Sequence, residues 1–88
     1  MTDTSTAVRD FVIDALADMN FETGEVTDAT PLGEQGVELE SLSFADLVMR
    51  LEEEYGVTYG DEEYESLPGM TLGGFVADVV RRIGSAAA

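Results

Sequence analysis

Two serines, Ser41 and Ser43, stand in a three-residue window of the stretch ELESLSFADLVMRLEEEYG, Glu38 to Gly56. A run patterned with apolar residues follows, closed by three consecutive glutamates, Tyr55 and Gly56. A serine hydroxyl where a helix begins has two chemical uses. It caps the helix by accepting a backbone N–H, or it stands exposed as a point of covalent attachment. Catalysis by the chain itself is not expected. With no His, Cys or Lys, the usual pairs of nucleophile and activating base cannot be assembled. A carboxylate pair can do acid–base work, but with 19 acidic residues any chosen pair is easily found and says little.

Metal chemistry is equally poorly supplied. The absence of cysteine removes thiolate sites and disulfides together. A calcium loop starting at Asp18 fails on its own pattern. Its sixth position would be Thr23 in place of glycine, and its twelfth Ala29 in place of glutamate. No metal site is expected.

The elements that must position these serines are helical. The 88 residues make one small domain, and a hydrophobic share of 44% suits a folded chain with a modest core. In STAVRDFVIDALADMN, Val8, Phe11, Val12, Ala15, Leu16 and Met19 recur at helical spacing. A helix over about residues 5–20 is predicted, capped by Thr4, Ser5 or Thr6. Residues 21–39 have no period and contain Gly24, Pro31, Gly33 and Gly36. They predict a long loop, with Val26, Pro31 and Leu32 available to pin it to the core. A second helix is expected over 41–55, ended by Gly56. A short acidic third helix is expected over 61–66, capped by Asp61 and broken by Pro68 and Gly69. The last spans about 71–83, capped by Thr71, with Leu72, Phe75, Val76, Val79, Val80 and Ile83 on one face and a frayed GSAAA tail. The fold class is thus all-α: a small up–down bundle of three main helices plus one short helix, with a long first loop.

At about 100° per residue, the second helix separates into faces. Phe44, Leu47, Val48, Leu51 and Tyr55 form a stripe wide enough to be its core face. Leu42, Ala45 and Met49 fall on a second strip beside Ser41 and Glu52. That strip either widens the core face or forms a docking surface with an adaptable methionine at its centre. Ser43 points to the far side.

The charge is −15. Such a field repels phosphate backbones and anionic lipid surfaces, so neither nucleic acid nor membrane is an expected partner. It either serves solubility or favours basic partners through fast, salt-sensitive association. No apolar run approaches the ~20 residues of a membrane span, and MTDTSTAVRD lacks the pattern of a secretory leader. A cytoplasmic monomer is expected.

The segment from Ser41 to Glu65 resembles the acyl carrier protein family, discrete bacterial type. Glu40-Ser41-Leu42 stands where the family has Asp-Ser-Leu at the start of its second helix. The run Leu47 to Tyr55 is similar to that of bacterial carriers, DEEYESL resembles the family's acidic third helix, and TLGGFVADVV its last. The resemblance implies that Ser41 carries 4′-phosphopantetheine, transferred from coenzyme A by a magnesium-dependent phosphopantetheinyl transferase. An acyl group then rides as a thioester on that arm. It also implies partner contacts through Glu38, Glu40, Leu42, Ala45, Asp46, Met49, Glu52 and Glu53. The partners implied are acyltransferases or acyl/aminoacyl ligases, ketosynthases and other pathway enzymes with basic docking surfaces.

There are departures. Glu40 keeps the aspartate's charge but is a poorer cap. EQGVEL replaces the common Leu-Gly-x approach, and Phe44 is bulkier than the family pattern leads one to expect. These favour a carrier of a polyketide or other specialised-metabolite pathway, such as antibiotic biosynthesis. The alternatives are a carrier of housekeeping fatty-acid synthesis and, from another class, an acidic helical adaptor without cofactor.

Overall fold

The computed structural model describes residues 4–33 and 36–87. They form α1 (Thr4–Asp18), α2 (Ser41–Tyr55), α3 (Asp61–Tyr64), a 3₁₀ turn (Leu67–Gly69) and α4 (Leu72–Ala87). Among the described residues there is no strand, and the fold is all-α. No helix among them is long and apolar enough to cross a membrane.

Each long helix forms where its apolar residues repeat at helical spacing, and each buries that face. Val8, Val12, Ala15 and Leu16 of α1 are buried, as are Phe44, Leu47, Val48 and Leu51 of α2 and Leu72, Phe75, Val76 and Val79 of α4. Helix α1 packs against both α4 and α2. Leu32, Leu39, Val57, Tyr59 and Leu67, from outside the long helices, complete the core.

The helix ends differ from expectation for local reasons. Helix α1 stops at Asp18 because Asn20 takes the left-handed conformation (φ 71°). Asn20 N–H then donates to Ala17 O and Phe21 N–H to Leu16 O, both at 3.0 Å, which satisfies the last carbonyls. Thr4, Ser5 and Thr6, expected as caps, lie inside α1. Asp61 is the first residue of α3, and Gly60 holds the cap position, its N–H bonded to the Glu63 carboxylate at 3.2 Å. Helix α3 ends at Tyr64, and Pro68 and Gly69 continue as a 3₁₀ turn closed by Met70 N–H on Leu67 O at 3.0 Å. Thr71 caps α4 as expected, with Gly74 N–H on its hydroxyl at 3.1 Å. That helix runs on through the stretch expected to fray, to Ala87.

The long loop before α2 lacks periodicity but is not loose. Leu32 N–H donates to Met70 O, Leu72 N–H to Thr30 O and Gly73 N–H to Asp28 O, each at 2.9 Å. Pro31 thereby forms an antiparallel bridge with Thr71. The Asp28 carboxylate takes two bonds from Arg9 of α1, at 2.9 and 3.0 Å. The loop is stitched to α4 and α1 by backbone groups, with Leu32 fully buried beneath it.

The second half of the loop turns back on itself, Val37 N–H to Pro31 O and Leu39 N–H to Leu32 O, both 2.9 Å. A Cβ on Gly36 would collide with Pro31 O. Gly36→Ala must therefore open the turn that delivers the chain to α2. The expected loss is about 1–3 kcal/mol, read as a lower urea midpoint at unchanged slope.

Candidate functional site

The approach to α2 is built on an uncommon backbone. Glu38 adopts φ 64°, a left-handed conformation rare outside glycine and asparagine. Its N–H is held by Gly33 O at 2.9 Å, and Leu39 is anchored in the core. Glu40 then takes the cap position in extended geometry (φ −94°, ψ 171°) without any side-chain cap bond. Ser41 is the first helical residue, not the cap. It is exposed, and its hydroxyl makes no hydrogen bond among the described residues. The amides of the first turn are likewise left without a side-chain acceptor. They offer donors and the positive end of a dipole to an anion held at Ser41 Oγ. Glu38 and Glu40, both exposed, oppose that locally.

Ser41 lies on the rim of a groove of about 760 Å³ between α2 and α3. Leu39, Phe44, Ala45, Tyr64 and Pro68 give it an apolar lining, and Glu40 and Asp61 lie at its polar margin. No sequence signal announced this groove, because its two walls come from elements about twenty residues apart.

The two faces of α2 are distinct in space. Phe44, Leu47, Val48 and Leu51 are buried, and the half-buried Tyr55 meets Phe11 edge-on at 5.5 Å between ring centres. Leu42 is 85% exposed and Met49 52%, so neither widens the core. Ala45 is exposed between the groove and this strip.

The acidic residues around the strip fall into two groups. Glu38, Glu40 and Glu53 are exposed and enter no ion pair among the described residues. Asp46 and Glu52 are committed. Asp46 pairs with Arg50 at 3.2 Å, and the same guanidinium reaches Asp18 of α1 at 2.9 Å. The Glu52 carboxylate accepts Tyr59 N–H at 3.3 Å. All four arginines are tied up in other ion pairs, so none of them offsets the first group's charge. Ser43 is half-buried and, away from the groove, lines a shallow depression with Leu42, Asp46, Arg50, Met19 and Phe21. Ser66 is exposed and followed by the 3₁₀ turn. Among the described residues no carboxylate cluster is arranged to hold a metal ion.

A cluster not foreseen from sequence joins α4 to the segment after α2. Asp78, 8% exposed, accepts the Tyr59 hydroxyl at 2.8 Å and Arg82 Nε at 2.8 Å, and also pairs with Arg81. Arg82 further donates to Thr58 O at 2.7 Å, pairs with Glu63 of α3 at 2.8 Å and lies 3.8 Å above the Tyr59 ring. Burial pushes the Asp78 carboxyl upward. The hydrogen bonds from Arg82 and Tyr59 and the charges of both arginines outweigh that and hold it below its ordinary value. Burial, then the bond to Asp78, pushes the Tyr59 phenol well up. One signal was available. At about 100° per residue, Arg82 falls about 20° from Phe75, on the edge of the buried stripe where an unpaired charge would be costly.

Compared with models of known protein families and with curated proteins, the chain matches none.

Proposed function

We propose that this protein is an acyl carrier of the resembled family: an up–down helical bundle, cytoplasmic, with 4′-phosphopantetheine attached to Ser41. The observation that carries this reading is the Ser41 hydroxyl itself. It is exposed, without a hydrogen bond among the described residues, fixed on the first turn of α2, and set between an apolar groove and the exposed Leu42–Met49 strip. A hydroxyl without a hydrogen-bonded base suits a group that is modified by another enzyme. In that modification the Ser41 Oγ–phosphorus bond forms, the hydroxyl proton leaves to a base on the transferase, and adenosine bisphosphate departs from coenzyme A. The bound arm supplies a terminal thiol that holds an acyl group as a thioester. The chain's own residues present it: α2 orients the attachment oxygen, Leu42 and Met49 offer apolar contact, and Glu38, Glu40 and Glu53 steer basic surfaces.

Specialised-metabolite partners, such as an acyl or aminoacyl ligase and a ketosynthase, fit this reading. Incubation with coenzyme A, magnesium and a broad-specificity phosphopantetheinyl transferase is expected to add one phosphopantetheinyl group, seen by intact mass, and Ser41→Ala is expected to abolish the gain. An unchanged mass, or a gain that survives in Ser41→Ala, would defeat the carrier reading in favour of a cofactor-free adaptor.

A further inference from the structure

Helix α3 is only four residues long and none of them is buried. It nonetheless supplies Asp61 and Tyr64 to one wall of the groove beside Ser41. Tyr64 is half-buried and packs against the core, but a single turn is marginal on its own. Its flanks and one side chain add to that hold. Tyr59 before it and Leu67 after it are buried. Arg82, from α4, reaches α3 directly through Glu63, the preceding segment through Thr58 O, and the Tyr59 ring by stacking. Asp78 fixes the guanidinium from behind through Arg82 Nε. Arg82 therefore has three separate holds on α3 and the segment that leads into it, and its own position is set by a buried carboxylate on the preceding helical turn.

We propose that Arg82 is a positioning residue for the groove: it fixes α3 against α2 and so sets how wide the groove opens beside Ser41. On the far wall Phe44 is a core residue of α2, and Leu39 is anchored in the core as well. A change of width therefore falls mainly to the α3 side. The cargo consequence, that Arg82 sets the bulk of chain the groove admits, rests on the carrier reading; the control of α3 by Arg82 does not. Helix α4 thus acts on the site from the opposite end of the α3 segment, without touching Ser41.

The test uses the unmodified full chain, so it stands whether or not Ser41 accepts an arm. The protein has no cysteine, so nitroxide labels at Glu53→Cys and Glu62→Cys report the α2–α3 separation alone. A control pair, Asp10→Cys with Glu53→Cys, reports α1–α2. With Arg82 present, pulsed electron–electron double resonance is expected to give one narrow α2–α3 distribution. Arg82→Met keeps much of the apolar stem and should broaden it and add a longer-distance component, leaving the control pair unchanged. Glu63→Gln, which cuts only the α3 end and keeps an acceptor for Gly60 N–H, should shift the same distribution in the same direction to a smaller extent. If Arg82→Met does not fold, the Glu63→Gln comparison decides alone. Superimposable α2–α3 distributions, or equal broadening of the control pair, overturn the proposal.

Discussion

Phe75→Ala is expected to destabilise the protein by about 3–5 kcal/mol in urea-induced unfolding. Phe75 is the largest fully buried side chain, at 0% exposure. It sits on the first turns of α4, just where Leu72 and Gly73 N–H donate to Thr30 O and Asp28 O of the loop, and its ring lies 6.1 Å from that of Tyr59. Truncation leaves a hole that backbone fixed on both sides cannot fill, so the cavity cost adds to the transfer cost. A domain this small has a total stability of about 5–10 kcal/mol, so the loss removes about a third of it or more. Phe11→Ala is the matched comparison. Phe11 is only partly buried and its ring meets Tyr55 edge-on, so a loss of about half that size is expected. Equal losses would mean that the core is not centred on α4.

Much of α2 was legible because its signals are local. Gly56 ends it in the left-handed conformation at φ 72°, and helical angle alone separates the buried Phe44, Leu47, Val48 and Leu51 from the exposed Leu42 and Met49. The ambiguity between a wider core and a free strip needed the structure, since angle gives direction and not what lies opposite. The cap by Thr71 was equally local. The loop was opaque for a physical reason. Its ties, such as Leu32 N–H to Met70 O, run between backbone groups about forty residues apart and impose no side-chain period. Gly36 is required by the close approach of Pro31 O, a contact no sequence pattern encodes. Ser41 was legible by residue type and surroundings, though sequence alone left capping and attachment both open to it. The cap position falls to Glu40, whose side chain does not bond there. Among the described residues the serine hydroxyl has no hydrogen-bond partner.

Arg81 and Arg82 illustrate a different limit. Sequence places both near the end of the expected last helix, where the negative end of the dipole favours any basic residue, but α4 runs on to Ala87 and neither stands in its last turn. In the structure Arg81 stays largely exposed, while Arg82 joins a network whose members lie 4, 19, 23 and 24 residues away in the chain. Tertiary contact turned one of two adjacent arginines into a structural hub, and only the angle it shares with the apolar stripe hinted which one.

Asp78→Asn should therefore cost about 2–3 kcal/mol at neutral pH, since it removes the charge that two buried or half-buried partners answer. The contribution of Arg81, 73% exposed, is discounted as a surface pair. The pH dependence separates this cost from simple packing loss. The carboxyl is held below its ordinary value in the folded protein, so its stabilisation is complete above the unfolded value of about 3.9 and is lost as pH falls through the lowered folded value. The Tyr59 phenol is shifted the other way. Its contribution is complete below the unfolded value of about 10 and fades as pH rises toward the folded one. Absolute stability is a poor readout, because protonating carboxylates also relieves the repulsion of a chain carrying −15. The difference between wild type and Asp78→Asn cancels that shared background. It should stay constant from about pH 5 to pH 9 and shrink below about pH 4. A difference that stays flat down to pH 2 would mean that the Asp78 charge contributes nothing and that the carboxyl is held by shape alone.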